Sequence, residues 1–205
     1  MAARVEFFFD LSSPWTCLAF HNLPGVLERT GTTAIYRPVL VGGVFNAVNP
    51  AVYAAREQAD NRKLQHSWKI LKDWARLAGV PMNFPSQYHP AKSVQAMRFC
   101  AALEEDQAAL VRFARAAFAS YFDRQENLDD PDVLEAVANA EGLDGAAIRA
   151  AAGSDAVKAR LRDSTEEVVA RGGYGSPTIF VDGTDMYFGN DQLPLVEAAL
   201  RRAPQ

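Results

Sequence analysis

Ser13 is placed by its sequence context to contact a bound anion. The stretch Val5–Leu18 begins with an apolar run around three consecutive phenylalanines, which is typical of a short buried strand. A turn at Asp10–Ser13 follows, and then Pro14, a residue that is favoured at the first position of a helix. A helix that starts there directs backbone N–H groups and the positive end of its dipole toward the turn. A hydroxyl at this point can donate a hydrogen bond to an anion, including a thiolate.

Two further motifs lie near the other end of the chain. Gly175-Ser176-Pro177-Thr178 leads into the apolar run Ile179–Val181, and Phe188-Gly189-Asn190-Asp191 precedes the last predicted helix. A proline before a strand can simply mark the boundary of that strand. For the second motif, two compatible interpretations stay open. Asn190 or Asp191 caps the helix, or the same helix start binds the charged end of a small peptide.

The pattern of apolar residues predicts an α/β chain in which a block of helices interrupts a small sheet. A helix over Pro14–Thr30 and a strand within Thr32–Val41 complete a β-α-β unit, whose strands should be parallel. Gly42–Pro50, rich in glycine and asparagine, is predicted to be a loop. Nearly all of residues 51–153 is predicted to be helical. The remaining predicted elements are a helix from Ser154 or Asp155 to Arg171, a hairpin turning at Asp182-Gly183, and a last helix ending at Arg202.

This order predicts a thioredoxin-like fold with a large all-helical insertion. The thioredoxin-like domain would be discontinuous, comprising residues 1–50 and 154–205, and the helical insertion domain would comprise residues 51–153.

The composition excludes several classes of function. With 205 residues, 49% of them hydrophobic, and a net charge of −4, the chain reads as an ordinary soluble globular protein without a basic stripe for nucleic acid. No apolar run approaches the roughly 18–20 residues of a membrane span, and the first strand leaves no room for a signal peptide, so a cytoplasmic location is expected. The three histidines share no ligand spacing, which predicts no metal site. Cys17 and Cys100 are expected to be reduced residues of the core.

The first motif resembles the active-site element of thioredoxin-like disulfide oxidoreductases, which carry Cys-Pro-x-Cys after their first strand. In this chain Ser13 and Thr16 stand at the two cysteine positions, and Cys17 lies one place too far along. Dithiol redox chemistry is therefore not expected, and the site would take its sulfur from a ligand. The resemblance also implies that Pro177 follows a cis bond and that Ser176 presents its backbone to the sulfur-bearing part of that ligand.

Together the motifs resemble one branch of this superfamily, the 2-hydroxychromene-2-carboxylate isomerases and the kappa-class glutathione transferases. The branch has Phe-Asp-x-x-Ser-Pro, matched by Phe9–Pro14, then Gly-x-Pro-Thr and Gly-Asn/Ser-Asp, matched by Gly175–Thr178 and Gly189–Asp191. The resemblance implies glutathione as the cofactor and a homodimer as the assembly. It also implies a role for seven residues: Ser13 activates the thiol, Ser176 and Pro177 hold the cysteinyl segment, Lys63 binds a carboxylate, Asp191 binds the γ-glutamyl ammonium with Asn190 supporting it, and Asn49 contributes from the loop before Pro50.

Three functions remain open at this stage. The first is a glutathione-dependent isomerase that acts on 2-hydroxychromene-2-carboxylate, or on a similar arylidene pyruvate, by thiolate addition, bond rotation and elimination. The second is a kappa-like transferase that releases a glutathione conjugate from a small aromatic or electrophilic substrate. The third is a non-catalytic thiol- or peptide-binding protein of the same fold. Four aromatic residues are candidates for the wall of the substrate pocket: Trp15, Phe45, Trp68 and Tyr88.

Overall fold

The computed structural model describes residues 5–52 and 61–202. Its strands are β1 (Val5–Phe9), β2 (Ala34–Pro38), β3 (Thr178–Val181) and β4 (Asp185–Phe188). Its helices are α1 (Pro14–Thr30), α2 (Val41–Val48), α3 (Arg62–Ala78), α4 (Val94–Ala102), α5 (Gln107–Phe122), α6 (Pro131–Ala140), α7 (Gly145–Ala152), α8 (Asp155–Ala170) and α9 (Leu193–Arg202), with a 3₁₀ turn over Asn190–Gln192.

The four strands form one mixed sheet in the order β2-β1-β3-β4. β1 is parallel to β2 and antiparallel to β3, and β3 is antiparallel to β4. The predicted parallel β-α-β unit is therefore present. Both faces of β1 are covered, and this explains its three consecutive phenylalanines. Phe7 and Phe9 contact Phe20 of α1 with ring centroids 6.0 and 5.6 Å away, while Phe8 faces the opposite side and packs with Phe180.

Helix α1 begins and ends at the residues that the sequence predicts. Ser13 is its N-cap, and Gly31 ends it in the left-handed conformation at φ +61°, where a side chain would be strained. Pro24 lies inside the helix, which continues through it. Asp130 and Asp144 likewise cap α6 and α7, each through its side-chain oxygen.

The predicted loop at Gly42–Pro50 is wrong, because Val41–Val48 forms helix α2. Contacts from distant parts of the chain hold its first turn: the Asp10 carboxylate accepts a hydrogen bond from Val41 N, and the Thr165 hydroxyl accepts one from Leu40 N. Val44 then packs in a buried cluster with Phe8 and other residues of that face. Tertiary packing thus overrides the low helix propensity of the two glycines.

The predicted N-cap at Asn190 or Asp191 is also wrong. Both residues lie within the 3₁₀ turn that precedes α9, and Gly189, at φ +93°, stands at the N-cap position of that turn. The Asn190 side chain instead accepts a hydrogen bond from Asn22 Nδ2 at 2.8 Å, which ties the turn to α1.

Between α2 and α8, the described residues form only helices and their connections, as the all-helical insertion requires. These helices do not have a core of their own, because one hydrophobic cluster continues from Phe7 and Phe20 into Phe118, Phe113 and Leu134. The domain boundaries at 50/51 and 153/154 stay a prediction. In residues 5–52 and 61–202, no helix is both long enough and apolar enough to cross a membrane.

Candidate active site

The Ser13 hydroxyl connects the start of α1 to the loop before β3. Its oxygen accepts a hydrogen bond from Thr16 N at 3.2 Å, which caps the helix. Its proton is donated to the Ser176 carbonyl oxygen at 3.0 Å. The hydroxyl therefore lies at the positive end of α1, and its O–H donates to the backbone of the Gly175–Thr178 motif that leads into β3.

The Ser176–Pro177 peptide bond is cis, and several contacts hold the loop that contains it. Ser176 Oγ accepts a hydrogen bond from Asp10 N at 2.9 Å and lies 2.8 Å from Thr16 Oγ1. Gly175 passes so close to Phe188 that a β-carbon there would lie 2.8 Å from the ring. Position 175 must therefore be a glycine for Phe188 and the loop to approach each other in this way.

Asp10 is the buried centre of the site. Oδ1 accepts hydrogen bonds from the backbone N–H and the hydroxyl of Ser12, both at 2.8 Å. Oδ2 accepts them from Val41 N at 2.8 Å and from Ser93 Oγ at 3.0 Å. Burial raises the pKa of the carboxyl, and these hydrogen bonds oppose that rise. One side chain thus joins the turn that carries Ser13 to α2 and to the segment before α4.

A cavity of about 700 Å³ opens beside Ser13. Its volume is in the range of sites for small molecules and cofactors. Most of its wall is apolar or aromatic, and the polar residues of the wall come from the Ser13 turn, from Ser176, from α2 and α3, and from the segment before α4. The wall includes Ser12, Ser13, Trp15, Phe45, Asn49, Leu64, Ser67, Trp68, Leu71, Phe84, His89, Lys92, Ser93, Tyr174, Ser176 and Phe188.

The cavity brings together Ser13, Ser176 and Asn49 from the predicted site. Asn49 ends α2, and its Nδ2 donates to the Tyr174 carbonyl oxygen at 3.4 Å. Lys63 is exposed in the first turn of α3, one residue before Leu64, which belongs to the wall.

Four of the seven predicted residues lie outside the cavity wall: Lys63, Pro177, Asn190 and Asp191. Asn190 is 2% exposed and bonded to Asn22, so its side chain supports the 3₁₀ turn from inside. Asp191 is exposed at that turn.

Three of the four aromatic candidates lie in the wall, and Tyr88, which is 40% exposed, does not. Tyr174 and Phe188 were not predicted as wall residues; their rings contact each other with centroids 4.5 Å apart and 35° between the ring planes. Each of them directly precedes a glycine of a recognised motif, and this position was the available signal. Lys92 and His89 were also missed, because nothing local connects their segment to Ser13.

Both cysteines are buried and reduced, as expected. Cys17 is 6% exposed, and burial raises the pKa of its thiol to about 12. Cys100 is fully buried, and burial raises its pKa well above the ordinary value. Neither side chain is therefore a thiolate at neutral pH, and neither lines the cavity beside Ser13.

Comparisons with known proteins identify relatives that match nearly the whole chain. A 2-hydroxychromene-2-carboxylate isomerase of Sphingobium xenophagum is 29% identical over 207 residues, covering 98% of this chain and 99% of the relative. Glutathione S-transferase kappa 1 of Rattus norvegicus is 28% identical, covering 95% and 90%. A solved structure of 2-hydroxychromene-2-carboxylate isomerase has a TM-score of 0.77 at 26% identity, covering 97% of this chain and 95% of that one. The predicted resemblance and fold are confirmed. The profile of the DsbA-like thioredoxin domain matches residues 4–201, and the chain belongs to that family.

Proposed function

We propose that this protein is a glutathione-dependent isomerase acting on 2-hydroxychromene-2-carboxylate or a similar arylidene pyruvate. The observation that carries the proposal is the Ser13 hydroxyl. It lies at a helix N-terminus, donates to the backbone before a cis proline, and opens on an aromatic-walled cavity of about 700 Å³. Because neither cysteine is near that hydroxyl in an ionisable form, a thiolate at this place has to come from a ligand. The cytoplasmic location and the homodimer implied by the resemblance belong to the same proposal.

The residues around Ser13 fit glutathione in the chemistry of their donors. Ser13 Oγ supplies a donor for the sulfur, and the Ser176 backbone lies beside it for the cysteinyl segment. Asn49 Nδ2 stands on the wall, and Lys63, next to the wall residue Leu64, offers an ammonium for a carboxylate. Asp191, exposed at the turn before α9, would bind the γ-glutamyl ammonium, with Asn190 fixing that turn and Pro177 fixing the Ser176 loop.

Ser13 and the start of α1 would hold the thiol in its deprotonated form. A free thiol titrates near ~8.5, and a helix N-terminus lowers that value. In the structure the Ser13 proton is donated to a neutral carbonyl oxygen, and glutathione binding would exchange this acceptor for a charged sulfur. Hydrogen bonds to a charged partner are roughly twice as strong, so the exchange favours the anion.

Bound glutathione would supply a thiolate nucleophile for reversible addition to a conjugated carbon of the electrophile, and this addition would allow rotation about the former double bond before elimination restores it as the trans alkene. The protein would bind and orient the two reactants. Trp15, Phe45 and Trp68 would bind the aryl ring and exclude water, and the capped start of α1 would keep the Ser13 proton directed at the sulfur.

The kappa transferase relatives support a second candidate at the same site, in which the conjugate is released instead of collapsing to the alkene. The two functions differ in whether glutathione is consumed. We expect a catalytic amount of glutathione to support complete conversion of the cis electrophile, with the glutathione recovered at the end. Consumption in proportion to product would make the protein a transferase. If the protein binds glutathione but converts no arylidene pyruvate, it is a non-catalytic binding protein.

We expect the double variant Cys17→Ala, Cys100→Ala to retain isomerase activity within about twofold, provided that it folds. The reason is that both thiols are buried and protonated, so they have no part in the reaction. The wild-type protein should likewise fail to reduce insulin disulfides with dithiothreitol, because Ser13 and Thr16 occupy the places of the two redox cysteines. A double variant that folds and binds glutathione but is inactive would show that a protein thiol takes part.

A further inference from the structure

We propose that Lys92 binds an anionic group, a carboxylate or its equivalent, on an aromatic ligand held in the cavity. For the reaction this assignment rests on the proposed function, and it makes Lys92 the residue that selects charged electrophiles over neutral ones. Lys92 is exposed and belongs to the cavity wall, on the segment that leads into α4. No motif of the sequence marks it.

The cavity that Lys92 lines has aromatic walls that suit an aryl ring. Phe84 is 6% exposed and stands between Trp68, at 5.7 Å between ring centroids, and His89, at 4.7 Å, both edge to face. Trp15 and Phe45 also line the cavity. An aromatic pocket with a lysine in its wall matches a ligand that has an apolar ring and a negative charge at one end.

The backbone around Lys92 is held firmly. Asp129 accepts hydrogen bonds from Lys92 N and from Ser93 N, each at 3.1 Å. Ser93, in the left-handed conformation at φ +56°, donates its hydroxyl to Asp10 at 3.0 Å. Asp10 also accepts from Ser12, the neighbour of Ser13. The hydrogen bonds to Asp129 and to Asp10 therefore fix the position of the segment that carries Lys92 relative to the turn that carries Ser13.

The charges near Lys92 leave its ammonium available to a ligand. In residues 5–52 and 61–202, no carboxylate forms an ion pair with its Nζ. The Asp129 carboxylate is engaged by the two backbone N–H groups, and the Asp10 carboxyl is buried within its own hydrogen bonds. Helix α4 begins two residues later, and its positive end also favours an anion on this side.

Calorimetric titration without glutathione tests this assignment directly. The probes are cinnamate and its neutral analogue cinnamamide, and the proteins are the wild type, Lys92→Met, Lys92→Arg and Lys72→Met. Methionine keeps the apolar stem and removes the charge. Lys72, exposed on α3 outside the cavity wall, is the matched control. We expect Lys92→Met to weaken cinnamate binding about tenfold or more, the loss of a charged hydrogen bond, with cinnamamide unchanged, and Lys92→Arg and Lys72→Met to stay near the wild type.

Three results would overturn the assignment: no cinnamate binding by the wild type, equal weakening of both probes in Lys92→Met, or the same weakening in Lys72→Met. Because glutathione is absent from the titration, its outcome is separate from that of the proposed function. In turnover assays, Lys92→Met should raise KM for a carboxylate electrophile about tenfold and leave KM for its methyl ester unchanged. A fall in glutathione affinity would place Lys92 in the cofactor subsite instead and overturn its role toward the electrophile.

Discussion

The Ser13→Ala variant is expected to lose about ten- to a hundredfold in turnover and to raise the pKa of the bound glutathione thiol. The hydroxyl is the side-chain donor at the start of α1, and a hydrogen bond to a charged group is worth roughly 1.5–3 kcal/mol. Its loss leaves the helix N-terminus alone to stabilise the thiolate. Ultraviolet titration of the thiolate in the binary complex measures the pKa, and steady-state kinetics with an arylidene pyruvate measures the loss of turnover.

Ser154→Ala is the matched control for this variant. Ser154 caps α8 as Ser13 caps α1, and the two oxygens accept similar bonds, from Val157 N at 3.3 Å and from Thr16 N at 3.2 Å. Each variant should therefore lose about 1 kcal/mol in the free energy of unfolding from the missing cap, and Ser13→Ala should lose about 1 kcal/mol more because Ser13 also donates to the Ser176 carbonyl oxygen. Only Ser13→Ala should change turnover and the thiol pKa. An unchanged titration midpoint in Ser13→Ala would remove the hydroxyl from the mechanism.

Local sequence signals were sufficient for the elements that carry Ser13 and Ser176. Strand β1 forms at the phenylalanine run, and helix α1 starts at Ser13-Pro14 and ends before Gly31. Each of these features depends on groups that are near neighbours in the sequence. The hairpin at Asp182-Gly183 and the cap at Ser154 are of the same kind. Such features can be read from one sequence because the groups that make each of them are only a few residues apart.

What the sequence did not reveal depends on long-range contacts. Helix α2 has two glycines in its first turn, and it forms where Asp10 and Thr165, 31 and 125 residues away from their partners, accept its first N–H groups. Asn190 resembles an N-cap locally but is bonded to Asn22, 168 residues away. The segment that carries Lys92 is held beside the Ser13 turn by the hydrogen bond from Ser93 to Asp10, two residues that are 83 positions apart in the sequence. In each case the partner could not be identified from the neighbouring sequence.

Asp10 makes two of these long-range hydrogen bonds, to Val41 and to Ser93. The Asp10→Asn variant is expected to lose about 1–3 kcal/mol in the free energy of unfolding and about ten- to a hundredfold in turnover. Each carboxylate oxygen accepts one backbone N–H, Oδ1 from Ser12 and Oδ2 from Val41. An amide has one acceptor oxygen, so in either orientation its NH₂ group faces one of these two backbone N–H groups. The turn that carries Ser13, the start of α2, or both must then move. At about 2–4 °C per kcal/mol for a chain of this size, the melting temperature should fall by several degrees.

Asp144→Asn separates this effect from the mere exchange of an acid for an amide. Asp144 caps α7 with a single hydrogen bond, from Ala147 N to Oδ1 at 2.9 Å, and is exposed. An asparagine oxygen can accept that bond equally well, so this variant should keep both its melting temperature and its turnover. Asp10→Asn should also lose kcat more than glutathione affinity, since Lys63 and Asn49 are held by other contacts. If Asp10→Asn melts and turns over like Asp144→Asn, the carboxylate is not what joins Ser13 to α2 and Ser93, and the positioning of the site has to come from the packing of β1 alone.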